Sequence, residues 1–169
     1  MWRNLIAVVF LLVPASIVTF ASDPVRLPEK CETFEIVALR SAAFRGSTAP
    51  RIADDQFRLA VAIEQAARRC STGKEDGLNE AYSWYATAGA KNHAEAAYRA
   101  ALYELDRPGP ASGLAFLHIA AFHGHAAAQA RLAMCHLKGE GVERNVSYGV
   151  QLLFRAAVLK LWGVAGFWD

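Results

Sequence analysis

The sequence predicts an all-α fold, a right-handed α-solenoid of stacked antiparallel helix pairs with about two to three degenerate repeats. Three observations lead there. Alanine is frequent and clustered while proline is sparse, with only 6 among 169 residues, and alanine is the strongest helix former and lets helices approach closely. Apolar residues recur at helical spacing in segments separated by glycine-containing breaks. The chain also matches itself at a shift of 32 residues: of the 22 positions compared between Trp84–Leu105 and Phe116–Leu137, seven are identical.

Taken in order, 1–21 read as a targeting segment. Arg3 gives a positive start, the run from Leu5 to Phe20 is almost wholly apolar, and Thr19 and Ala21 are small residues suited to a cut after Ala21. The run is short for a membrane span and Pro14 interrupts it. The reading is a cleaved signal peptide, with an uncleaved inner-membrane anchor or a buried N-terminal helix as the alternatives. Segment 22–51 is a leader: Pro24 and Pro28 make its start extended, and a short helix follows over 31–45. A repeat domain is expected over 52–160, with helices at 52–70, 77–88, 93–105, 111–122, 125–137 and 146–159. The remainder, 161–169, is an apolar tail.

The repeated feature is an order of residue types. An aromatic (Trp84 or Phe116) precedes small residues, then a turn at Asn92 or Gly124, then His93-Ala94 or His125-Ala126 opening an alanine-rich helix. Neither helix of such a pair buries its apolar face alone, so neighbouring pairs stack. Ala120-Ala121 and Ala156-Ala157 permit close contact, and Trp84, Phe116 and Leu152 fill the space between units.

The best unit contains Gly124-His125-Ala126-Ala127-Ala128-Gln129, Leu132-Ala133, Gly139-Glu140-Gly141-Val142, Asn145, Gly149 and Ala156-Ala157. These residues resemble Sel-one-like repeats, a branch of the tetratricopeptide superfamily. The resemblance covers about 53–160, strongly in one unit and weakly in two. Asn92 stands where the turn glycine is expected, His136 where a tyrosine is, and Leu152 where an aromatic is. The loop has a physical logic of its own. Gly139 and Gly141 can take φ > 0 and end a helix, Val142 can tuck inward, and Asn145 can cap the next helix. The resemblance implies a curved helical array that offers a groove to partner proteins. Exported bacterial members are similar in serving as adaptors or regulators of envelope processes. Some are disulfide-stapled in every unit and linked to β-lactam binding, a regular pairing this chain lacks.

Charge is nearly balanced, 18 basic residues against 16 acidic, and no basic stripe interleaves with aromatics, so nucleic acid is not an expected partner. Gly73-Lys74 lacks the upstream glycine of a phosphate loop, since position 68 is Arg68. There is no serine elbow and no zinc-protease helix. His118 and His123 are five apart and do not share a helical face, while His93 and His125 read as helix starts. No cofactor and no metal are expected. The chain is read as a non-enzyme, with a cell-wall-related hydrolase or β-lactam-binding enzyme as the alternative.

Three cysteines follow the targeting segment. In an oxidising compartment Cys31 and Cys70, near the ends of two helical stretches, form the favoured bridge, and Cys135 reads as a small buried hydrophobe. Asn145-Val146-Ser147 matches a glycosylation sequon but falls at the helix cap. Groove candidates, chosen as the helix positions not used by the repeat core, are Tyr98, Arg99, Tyr103, Arg131 and His136. Tyrosine and arginine suit binding hot spots, and Arg99 with Arg131 could form a ladder for an acidic peptide. Trp162, Phe167 and Trp168 are candidates for apolar contact, folding back on the last unit or, as alternatives, pairing two copies of the chain or touching a membrane.

Overall fold

The structure is a computed structural model that describes residues 31–44, 51–106 and 111–164. Among them it forms seven helices and no strand. They are α1 (Phe34–Phe44), α2 (Ile52–Arg69), α3 (Lys74–Ala90), α4 (Ala94–Leu105), α5 (Ala111–Phe122), α6 (Ala126–Lys138) and α7 (Val146–Val164). Each packs chiefly on its neighbours in the chain, with an added contact between α3 and α5. Nearest-neighbour packing of this kind is the signature of a solenoid. The pairs α2–α3, α4–α5 and α6–α7 are its units.

The helix ends follow local chemistry. Thr33 Oγ1 accepts from the Ile36 N–H at the start of α1, which therefore covers less than the expected 31–45. Helix α3 begins at Lys74, three residues before the expected start, because Gly73 turns the chain at φ 69. Glu75 and Asp76 then sit where the helix dipole favours negative charge. Between α6 and α7, Gly139 and Gly141 have φ of 81 and 71, as the glycine loop predicts. Val142 packs against the core there, and Asn145 Oδ1 accepts from the Tyr148 N–H at 2.9 Å. Helix α7 continues to Val164, through the first positions assigned to the tail, since the leucine-rich stretch after Ala157 contains no proline to stop it.

Repetition is also visible in the packing. Gly77, Gly113 and Gly149 recur every 36 positions and all three are buried. A Cβ on Gly113 would lie 2.9 Å from Leu105 and 3.3 Å from the Ala101 carbonyl. A Cβ on Gly149 would lie 2.9 Å from Leu137 and 3.1 Å from the Ala133 carbonyl. Leu105 and Leu137, and Ala101 and Ala133, are partners in the 32-residue match. An earlier unit is marked by Gln56-x-x-Leu59-Ala60, which repeats as Gln129-x-x-Leu132-Ala133. Both glutamines are buried and bonded: Gln56 Oε1 accepts from Lys91 Nζ at 3.0 Å, and Gln129 Nε2 donates to the Ala121 carbonyl at 2.9 Å.

The core runs along the stack in two clusters that share Phe116. Leu59, Ile63, Leu117 and Leu132 are fully buried, with alanines between them. Trp84 is half-buried and meets Phe44 edge-on. Ala120, Ala121 and Ala156 are buried as expected of contact alanines, whereas Ala157 faces solvent. At the N-terminal end Cys31 and Cys70 are disulfide-bonded, Cα atoms 6.2 Å apart. The bridge spans 39 residues, and closing such a loop restricts the unfolded chain by roughly 4 kcal/mol in the chain-entropy account. Arg40 adds ion pairs to Glu32 and Glu80, pinning α1 against α3.

The tightest helix approach lies between units one and two, where a Cβ on Gly89 would come within 2.9 Å of the Ala97 Cα. That neighbour is backbone and cannot swing aside. Gly89→Ala is expected to lower stability by about 1–3 kcal/mol despite the better helix propensity of alanine. Gly124→Ala meets nothing within 4 Å but keeps a φ of +81, so about 1–2 kcal/mol of backbone strain is its whole cost. Urea unfolding of both variants checks the pair.

Candidate functional site: a groove along the first helices

Three depressions lie along α2, α4 and α6, the first helices of the units. One, between the Cys31–Leu39 segment and α2, has about 500 Å³ and is lined in part by Phe57, Arg58 and Val61. The next, between α2, α3 and α4, has about 720 Å³ and holds Tyr82, Tyr85, Tyr98, Arg99 and Tyr103. The last, between α4 and α6, has about 650 Å³ and holds Tyr98, Arg131, Met134 and Cys135. Tyr98 borders both of the latter two. Aligning the units on Gln56 and Gln129 places Phe57, Tyr98 and Ala130 at one position, and Arg58, Arg99 and Arg131 at the next.

Adjacent first helices are joined by one repeated device. His93 Nδ1 accepts from the Ala96 N–H and His125 Nδ1 from the Ala128 N–H, each at 3.1 Å. Each histidine thus caps its helix, and the hydrogen left on the ring is at Nε2. The His125 Nε2 lies 2.8 Å from Glu95 Oε2, and the His93 Nε2 lies 3.4 Å from Asp54 Oδ1. Asp54 and Glu95 are equivalent positions of preceding units. The rings stack on Phe57 at 4.4 Å and on Tyr98 at 4.3 Å. One side chain therefore caps a helix, bonds the previous unit's acid and covers the previous unit's aromatic. The expected helix-start role of His93 and His125 is real, and its inter-unit half was invisible without the fold.

Arg99 is not a bare cation. Its guanidinium bonds Glu95 at 2.9 Å and Glu64 at 3.3 Å, and lies 6.0 Å from the Phe57 ring and 5.8 Å from the Tyr85 ring. Glu64 also accepts from the Tyr85 hydroxyl and from Arg68, both at 2.6 Å. Burial would raise the Glu64 carboxyl, but hydrogen bonds from Tyr85 and Arg68 and the charges of Arg68 and Arg99 outweigh it and hold the group below the usual carboxylate range. Glu95 is held low in the same way: burial raises it, and bonds from His125 and Arg99 more than offset that. The Tyr85 hydroxyl is pushed well above its ordinary value, first by burial and then by its bond to Glu64. With two carboxylates on Arg99, the ladder of free arginines expected for an acidic peptide is reduced to Arg131, which is exposed.

The other candidates fall in different places. Tyr103 stacks on Tyr82 at 4.7 Å and donates its hydroxyl to Asn79. His136 does not line the groove. It sits five residues beyond Arg131, about 140° around the helix, facing Tyr148 edge-on at 4.8 Å and His118 at 6.4 Å. Burial and the nearby His136 lower the His118 pKa. Cys135 is a free, buried thiol at the groove floor, and burial pushes its pKa up. Trp162 belongs to α7, and Phe167 and Trp168 lie outside the described residues, as do the targeting segment and the leader before Cys31. The outer face of α7 shows Val150, Phe154 and Leu161 to solvent.

Sequence reasoning missed Glu64, Glu95, Tyr82 and Tyr85 as groove residues. Glu95 had one usable signal, an acid two positions after a capping histidine and four before Arg99. Among the described residues no three His, Cys, Asp or Glu side chains gather to hold a metal, and no helix is long and apolar enough to cross a membrane.

In structure the chain is similar to a Sel1 repeat protein from Oxalobacter formigenes, with a TM-score of 0.55, 24% identity and 73% of this chain covered. The likeness takes in 47% of that protein, so this chain spans about half its length. No family model and no curated protein matches the sequence. The likeness shows the fold, an all-α solenoid of stacked helix pairs.

The capping histidine and the Glu64 network each give a measurable outcome. His125→Asn keeps a capping oxygen and His125→Ala does not, so the alanine variant is expected to be less stable by a further ~1 kcal/mol in urea unfolding. Glu64 is held low in the folded state, so its contribution is present above the ordinary carboxylate range and is lost as pH falls through and below that range. Glu64→Gln should therefore flatten the acid side of the stability–pH curve, measured by thermal melting.

Proposed function

We propose that this chain is an exported protein-interaction module, an adaptor or regulator in the bacterial envelope that holds a segment of a partner along α2, α4 and α6. One observation carries the reading. The three depressions lie in succession along equivalent helices and present an arginine at one position in each, Arg58, Arg99 and Arg131, with Phe57 and Tyr98 beside the first two. Stacked units that repeat their lining offer repeated subsites to an extended chain, the usual way in which solenoids bind. Aromatic and arginine side chains supply contact area with a polar handle.

The exported half of the proposal rests on the apolar run from Leu5 to Phe20 and on the Cys31–Cys70 bridge, which suits an oxidising compartment. An adaptor is favoured over an enzyme because the polar groups of the groove bond to one another and hold the fold. Glu64, Tyr85, Arg99, Glu95 and His125 form one connected chain.

Crosslinking in native cells with a C-terminally tagged full chain, followed by mass spectrometry, tests the reading. Tyr98→Ala is expected to reduce capture of the specific partner at least about tenfold, a loss in the range of one aromatic hot spot. Helix content should be unchanged. Equal capture by the variant would remove the groove from the proposal. N-terminal sequencing of the cellular protein separates its two forms: a chain beginning at Ser22 is released, whereas an intact Met1 in the membrane fraction is anchored.

A further inference from the structure

The three depressions do not carry the same charge. The central one is lined by four carboxylates, Glu64, Glu75, Glu95 and Asp106, against two arginines, Arg68 and Arg99. The outer ones lean the other way. Arg58 and Arg69 oppose Glu35 in the first, and Arg131 and Lys138 oppose Glu140 in the last. At neutral pH the order along the groove is positive, negative, positive.

The centre is also the aromatic part. Four of the chain's five tyrosines line it: Tyr82, Tyr85, Tyr98 and Tyr103. Tyr82 and Tyr103 stack nearly parallel, 14° apart, at the lining. Aromatic faces beside carboxylates favour a cation, whose charge the carboxylates neutralise and whose alkyl stem lies against the rings. Arg68 and Arg99 offset Glu64 and Glu95, to which they are paired, so the surplus negative charge of the depression is that of Glu75 and Asp106. Glu75 and Asp106 stand at the exposed rim.

From this charge complementarity we infer that the segment held in the groove places a basic side chain, lysine or arginine, in the depression between α2, α3 and α4. The inference rests on the groove reading above and specifies its ligand class. Its chemistry is opposite to the acidic peptide that arginines at positions 99 and 131 suggest from sequence. Outside the centre, Arg58 and Arg131 favour neutral or acidic neighbours on either side of the base.

The test uses the full chain and three pools of short, end-blocked, fluorescent peptides. Their central residue is fixed as lysine, leucine or aspartate and their flanks are uncharged. Anisotropy titration at low salt is expected to show the lysine pool binding at least about tenfold tighter than the aspartate pool, with the margin shrinking as salt screens the exposed rim. Glu75→Lys combined with Asp106→Lys changes only exposed rim positions, leaving the Glu64–Arg99–Glu95 chain in place, and should reverse the order. Thermal melting confirms that this variant is folded. A preference for leucine or aspartate in the natural chain overturns the basic-residue assignment and leaves the groove standing. A lysine preference that survives the double substitution overturns its placement in this depression. Absence of binding by every pool overturns the groove reading along with it.

Discussion

The structure depends on how closely small residues let its helices approach. Gly89 lies against Ala97 between the first two units, Gly113 against Ala101 within the second, and Gly149 against Ala133 within the third. In each case the contact reaches the neighbouring helix backbone. Only glycine and alanine permit this separation, and larger side chains such as Leu117 and Leu132 then fill the wedge that remains. The stack is therefore spaced by its smallest residues and stabilised by the burial of its largest.

That spacing brings each capping histidine within reach of the preceding unit. At the observed separation His125 meets both Glu95 and Tyr98, and His93 meets both Asp54 and Phe57. Acid, histidine and aromatic thus repeat as a set along the first helices. The helices that line the groove are cross-linked by polar contacts at their N-terminal ends, so the fold itself holds the groove's shape.

The same network redistributes charge. From composition the chain is almost neutral, and Arg99 and Arg131 look alike in the repeat alignment. In the fold Arg99 closes a chain of carboxylates, and Arg131 stays exposed beside Lys138. Equivalent positions have thus become unlike in the field they project. The difference comes from Glu64 on α2 and Glu95 on α4, since the residues that replace them beside Arg131, such as Ala127, carry no charge.

Fold class, helix order, the glycine loop and the histidine caps were legible in the sequence because each is a local property. Helical spacing, φ > 0 at Gly139 and an oxygen from Asn145 at a helix start each lie within a few turns of chain, and the 32-residue self-match is read by comparing such local patterns. The first unit is expected from its helix pattern, but the match of Gln56-x-x-Leu59-Ala60 to Gln129-x-x-Leu132-Ala133 is not, because its offset is no multiple of 32. His136 was assigned to the groove by counting positions, and its rotation toward Tyr148 placed it elsewhere. What the tertiary structure alone decided is the partnership of side chains far apart in sequence: Arg99 with Glu64, Tyr103 with Tyr82, His125 with Glu95. The sequence by itself determined that these helices form and stack, because hydrophobic spacing and turn residues act locally. The charge and shape of the groove arise between units, where the distance set by glycine and alanine selects which polar groups can touch.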